Sequence, residues 1–204
     1  KHGTAPSPIP ESSAPCSVLM QVSTAEADRA GPLIETLLSE AMSAGLARDV
    51  RLAISATQRS AFWRMREQMS EVQKFEGGSI KHDVSLPVAR IPEFLAKAAT
   101  VVERLCPGAR PVPFGHLGDG NVHYNVSQPP GMEKAQFLDL WEPLSAAIHS
   151  LVADMGGSIS AEHGIGRMKR EELRRLKDPV ALNLMHAITS AFDPNGILNP
   201  GKVL

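Results

Sequence analysis

The stretch Pro113–Asn125, PFGHLGDGNVHYN, contains Asp119-Gly120, a β-hairpin signal, and so places an antiparallel pair of strands at the centre of the chain. A two-residue turn there pairs Gly118 with Asn121, Leu117 with Val122 and His116 with His123; a four-residue loop over 118–121 gives the same register. Directly opposed residues share a face, with Cβ atoms about 4.5–5.5 Å apart. Two imidazoles so placed can converge on one cation at about 2.0–2.1 Å per bond. Asn125, two residues beyond His123, falls on the same face by strand alternation. Taken alone, the stretch also reads as a polar hairpin with two solvated histidines.

A second polar cluster follows downstream in SISAEHGIG, residues 158–166, after a helix that Gly156-Gly157 ends. Glu162 offers a hard oxygen ligand that completes a His, His, carboxylate set and leaves one metal position open. His163 is then an outer or proton-transfer residue, since neutral imidazole is the usual general base near pH 7. The middle of the chain supplies anion-binding candidates. Arg66 and Ser70 are four apart and share a helix face, and an arginine can hold a carboxylate through two parallel hydrogen bonds. Lys81 follows the Gly77-Gly78 turn; of Lys81 and His82, only one can point into a site. A solvated basic face is the competing reading, and Arg64 and Lys74 are assigned to it. His149 and His186 fall within helical apolar patterns, as core-edge residues, and Asp119 is explained by turn chemistry.

The 204 residues suit one domain, or one with an appendage. With 21 basic and 22 acidic residues, a formal charge of −1 offers no bulk attraction to nucleic acid or anionic membrane. Cys16 and Cys106 stand in no metal or redox spacing, which points to free thiols in a reducing compartment. No apolar run reaches the ~20 residues of a membrane span, and no signal peptide opens the chain. Residues 1–16, Pro/Ser-rich in KHGTAPSPIPESSAP, read as a linker, and 17–204 as the folded domain.

Along that domain the pattern predicts strands at 17–23, 49–54 and 79–86 and helices at 28–44, 60–75 and 91–105. The hairpin strands come next, at roughly 110–117 and 122–127. A long helix over 133–155 carries Pro143 as a kink or restart, and helices at 167–176 and 179–192 precede an irregular tail. Strands joined by helices around an antiparallel hairpin imply an α+β fold: a ferredoxin-like antiparallel sheet covered by helices on one face.

PFGHLGDGNVHYN, SAEHGIGR and the closing FDPNGILNPGKVL together resemble the C-terminal, substrate-side portion of FAD-linked D-2-hydroxy acid dehydrogenases of the vanillyl-alcohol oxidase superfamily. The likeness runs, in order, along nearly the whole chain. It implies a divalent metal, usually zinc, on His116, His123 and Glu162, with His163 as general base. It implies substrate contacts from Arg66, Ser70, Lys81 and Asn125, and an approach of Asn199 to the flavin; threonine is common where Ser70 stands. FAD itself is expected to be held mainly by a domain that residues 1–204 do not supply, since they contain no glycine-rich pyrophosphate loop. The implied partners are a small 2-hydroxy acid, that FAD-binding domain in cis or in trans, a second copy in a homodimer, and an electron acceptor. D-2-hydroxyglutarate or D-malate is favoured over D-lactate or glycolate. The implied localisation is the cytoplasm of a bacterium or the mitochondrial matrix. A metal-binding module without activity and a metal-dependent hydrolase remain as rival classes.

Overall fold

The computed structural model describes residues 14, 16–26 and 28–204. Most of the expected linker over 1–16, including His2, lies outside the described residues. The chain divides into two units, Lys1–Phe75 and Glu76–Leu204. No helix among the described residues is long and apolar enough to cross a membrane. Both thiols are free, Cys16 exposed and Cys106 buried.

The first unit contains helices α1 (Ala30–Ser43), α2 (Ala56–Glu67) and α3 (Met69–Val72). Ser55 caps α2, its side chain accepting from the Gln58 N–H at 3.2 Å. The helix expected over 60–75 is interrupted at Gln68, which keeps a right-handed helical backbone before α3 and a closing 3-10 turn. The strands expected at 17–23 and 49–54 do not form. Strand propensity alone does not satisfy backbone N–H and C=O groups; a ladder partner must, and none pairs with these segments.

The second unit is α+β. Its order is β1 (Ser79–Ser85), α4 (Ile91–Leu105), β2 (Arg110–His116), β3 (Asn121–Ser127), α5 (Lys134–Leu138), α6 (Trp141–Asp154), α7 (Arg170–Leu176) and α8 (Pro179–Phe192). The three strands form an antiparallel sheet in the order β1-β3-β2. This is the ferredoxin-like arrangement with its fourth strand reduced to one bridge, where Ser158 pairs antiparallel with Ser85 on the free edge of β1. Helix α4 starts where Pro92 fits a first turn and buries Ile91, Phe94, Ala98 and Val102 along one face. The long helix expected over 133–155 is two helices, and Pro143 sits in the first turn of the second, where its missing N–H breaks no bond. Leu144, Ile148 and Val152 of α6 join α4 over Ile80, Val84, Val122, Tyr124 and Val126 of the sheet. Full burial of each such aliphatic side chain is worth about 1.5–3 kcal/mol.

The hairpin forms, but two residues out of the expected register: His116 pairs with Asn121, and His123 with Phe114. A 3-10 turn at Leu117–Asp119 and Gly120 close the loop, with the Asp119 side chain accepting from the Asn121 N–H at 3.0 Å. Gly120 has φ +78, and a Cβ there would collide with the Leu86 carbonyl. Its own carbonyl accepts from the Leu86 N–H at 3.0 Å, so the turn is set by the tertiary contact as well as by Asp-Gly. A shift of two preserves side-chain parity, so His116 and His123 still share a face, now on a diagonal.

His82 lies on the opposite face, buried against the helices, with Nδ1 2.8 Å from the Tyr124 carbonyl and its ring 5.6 Å from that of His149. Burial pushes the His82 imidazole down to about 4, against the opposing effect of the Tyr124 contact. Burial lowers His149 as well. The unfolded chain therefore binds protons more readily than the fold as pH falls from about 6.5 to about 4. Stability is full above that window and declines through it, with His82 contributing roughly 3 kcal/mol of the loss. Thermal unfolding followed from pH 7.5 to 4.5 is expected to show a flatter pH dependence in His82→Leu; parallel curves for the two proteins would refute the assignment.

Candidate functional site

The sheet's second face carries three polar rows. Lys81 pairs with Asn125 and Asn125 with Val112; Asp83 pairs with His123 and His123 with Phe114; Ser85 pairs with Asn121 and Asn121 with His116. Same-face residues along a strand are about 7 Å apart, so neighbouring rows are separated by that spacing. Lys81 is exposed on this face and His82 is turned into the core, which assigns the alternation left open between them.

Segment 158–163 runs along the free edge of β1 and brings Glu162 and His163 to this face. The Ser85–Ser158 bridge starts it, at 3.0 and 2.8 Å, and the Ala161 N–H donates to the Asp83 carbonyl at 3.3 Å. The Asp83 carboxylate, 3% exposed, then accepts from the backbone N–H of Glu162 at 2.9 Å and of His163 at 2.8 Å, both through Oδ2. Lys169 Nζ closes the loop from behind, donating to the Ile159 carbonyl at 2.7 Å.

Of the ligand set expected from sequence, His116 and His123 both approach Glu162. Glu162 Oε1 stands 3.4 Å from His116 Nδ1 and 3.8 Å from His123 Nε2. Ligands about 2.1 Å from a tetrahedral centre are roughly 3.4 Å apart, a spacing that Glu162 approaches with each histidine. The Asn121 amide nitrogen donates to the same glutamate oxygen, and its buried carbonyl has no hydrogen-bond partner. His123, 15% exposed, lies between the rings of Phe114 and His163, at centroid distances of 5.2 and 5.6 Å. His163 is 65% exposed, with Nδ1 3.5 Å from Asp83 Oδ2, which leaves the rest of the imidazole open.

Asp83 is the residue that sequence reading missed. With His123 and His163 it forms the one group among the described residues in which a ligand-capable atom from each of three residues lies within 4.8 Å of the others. Burial alone would raise its pKa, but the N–H groups of His163 and Glu162 and the nearby imidazoles bring it below the ordinary carboxylate range. The signal was available: Asp83 is two residues past Lys81, so alternation puts both on one face.

The other expected residues are placed less closely. Asn125 is buried in the Lys81 row. Arg66, partly buried at the end of α2, and Ser70, exposed on α3, belong to the first unit. Asn199 is exposed, with φ 52; the turn before it is held by Asp193, which accepts from Ile197 N at 2.9 Å and Leu198 N at 2.7 Å. His149, 3.2 Å from Glu172, and exposed His186 lie on helices outside the cluster.

Comparison with known proteins gives a consistent picture. The FAD linked oxidases, C-terminal domain, match residues 2–203. D-2-hydroxyglutarate dehydrogenase of Stutzerimonas stutzeri (strain A1501) is 33% identical over 202 residues, covering 99% of this chain and 43% of the relative. The mitochondrial D-2-hydroxyglutarate dehydrogenase of Rattus norvegicus is 35% identical over 198 residues, 97% of this chain and 35% of the relative. The Arabidopsis thaliana mitochondrial enzyme of that name is 39% identical over 171 residues, 84% and 29%. The chain thus spans less than half the length of these curated relatives.

Proposed function

The chain belongs to the family of FAD linked oxidases, C-terminal domain, and from that premise we propose that it is the substrate- and metal-binding portion of a flavin-dependent D-2-hydroxy acid dehydrogenase. The reaction is oxidation of the 2-hydroxy acid to the 2-oxo acid, with D-2-hydroxyglutarate or D-malate as the favoured class. The observation that carries this reading is the convergence of His116 and His123 on Glu162 Oε1, beside an open imidazole at His163. FAD supplies the hydride acceptor, and a divalent cation, zinc by the two imidazoles, supplies Lewis-acid charge at the substrate oxygens.

The chain's own residues bind, orient and move the proton. His116, His123 and Glu162 hold the cation. His163 takes the C2 hydroxyl proton on its exposed imidazole, and Asp83, 3.5 Å from Nδ1, stabilises the imidazolium that results. Lys81 and Asn125, one row from Asp83–His123, receive the carboxylate at the far end of a short diacid. Substrate contacts for Arg66 and Ser70, and an approach of Asn199 to the flavin, are carried over on the resemblance of their motifs to the family.

Steady-state kinetics on the complete flavin-loaded enzyme tests the substrate class. A lysine left facing a short monoacid loses a charge-assisted bond worth about 1.5–3 kcal/mol. D-2-hydroxyglutarate or D-malate is therefore expected to exceed D-lactate in kcat/KM by about 10–100-fold, with the gap narrowing in Lys81→Met. Equal or better use of D-lactate would turn Lys81 away from the substrate and install a monoacid in its place.

A further inference from the structure

We propose that Asp83 is a positioning residue for this site, holding segment 161–163 on β1 and orienting His123 so that Nδ1 faces the carboxylate and Nε2 faces the cation position. The inference rests on the metal reading given above and adds a residue to it.

Three observations carry it. The carboxylate is buried on a sheet face, an expensive place for a charge unless hydrogen-bonded or paired. One oxygen is used twice, by the N–H groups of Glu162 and His163, the ligand and base positions themselves. The other, Oδ1, has no hydrogen-bond partner, and His123 Nδ1 stands 3.8 Å from it, while His123 Nε2 is directed to Glu162. An imidazole whose Nδ1–H is turned to a carboxylate presents the Nε2 lone pair outward, the tautomer a cation requires. Asp83 thereby couples the two halves of the site: it fixes the backbone of one and the ring of the other. A purely structural staple would need the two N–H contacts alone.

Asp83→Asn separates these roles, because the amide oxygen still accepts both backbone N–H groups while the charge is lost and an NH2 can face His123 Nδ1. In the full-length flavin-loaded enzyme, zinc affinity measured by competition with a chromophoric chelator is expected to fall about 10–100-fold. The fall in kcat should exceed any change in KM, with the melting temperature of the metal-free protein nearly unchanged. Wild-type affinity and kcat in a folded Asp83→Asn protein would overturn the proposal while leaving the metal reading intact. Complete loss of zinc in Asp83→Asn together with full binding in His116→Ala would also overturn it, by making Asp83 a ligand beside His123 and His163. A wild-type protein that holds no zinc fails the underlying reading instead. Should Asp83→Asn not fold, 15N spectra of histidine-labelled wild-type holoenzyme decide the matter, with the His123 signal assigned by its loss in His123→Gln. A proton on Nδ1 is expected, and one on Nε2 refutes the orientation.

Discussion

In the flavin-loaded enzyme, His163→Ala is expected to lower kcat by about 10²–10⁴-fold while metal content stays at the wild-type level. The two effects separate because of how His163 is held. Its backbone N–H bonds to Asp83 Oδ2 at 2.8 Å, a contact that alanine keeps. Its imidazole is 65% exposed, so truncation opens no cavity and leaves Glu162 on the same edge of β1. What disappears is the proton acceptor and the partner that Asp83 would stabilise once charged. Turnover within a few-fold of wild type would remove His163 from the base role, and a parallel loss of metal would make it a ligand.

The second large effect is expected from the hairpin. His116→Ala should take the protein from one divalent ion per chain toward none. The loss in affinity should exceed the about 10–100-fold typical of a removed outer partner, and activity should fall with it. His116 is exposed at the end of β2, so the fold is expected to survive its truncation. His123→Ala should give the same metal result but also disturb the ring contacts with Phe114 and His163, which makes His116 the cleaner test. Elemental analysis of the purified proteins settles the matter: equal metal content in wild type and His116→Ala is incompatible with a shared site.

Much of this arrangement is legible in the residues because local and tertiary preferences agree. Helix α4 occupies Ile91–Leu105 as read, with Pro92 at its start and its apolar positions meeting the sheet. Helix α8 begins where Asp178 accepts from Val180 and Ala181 ahead of the chain's apolar run, with Pro179 at the first helical position. The hairpin was legible as a hairpin and as a polar face, but its register was not. Asp119-Gly120 specifies a turn, while the contact between Gly120 and Leu86, 34 positions away, decides which turn. Since the slip is of two residues, the expected pairing fails and the expected face survives. Asp83 escaped because alternation was applied to Lys81 and His82 and carried no further. The edge contact at Ser158 has no local signature at all: a single bridge needs neither strand propensity nor length, only a neighbour that tolerates it. Gly157 is that tolerance, since any side chain there would strike the Ser85 carbonyl.

The distribution of the site along the chain also orders its assembly in time. His116, Asn121, His123 and Asn125 belong to one hairpin, a unit that closes in about 1–10 μs. Glu162 and His163 reach Asp83 across 79 and 80 positions, contacts that come only after the entropy of a long closed loop has been overcome. Between those events the chain presents two imidazoles with no carboxylate to complete them. On the proposed metal reading, a cation that requires all three donors would be captured firmly only once the sheet edge has closed, and its retention would report on completed folding.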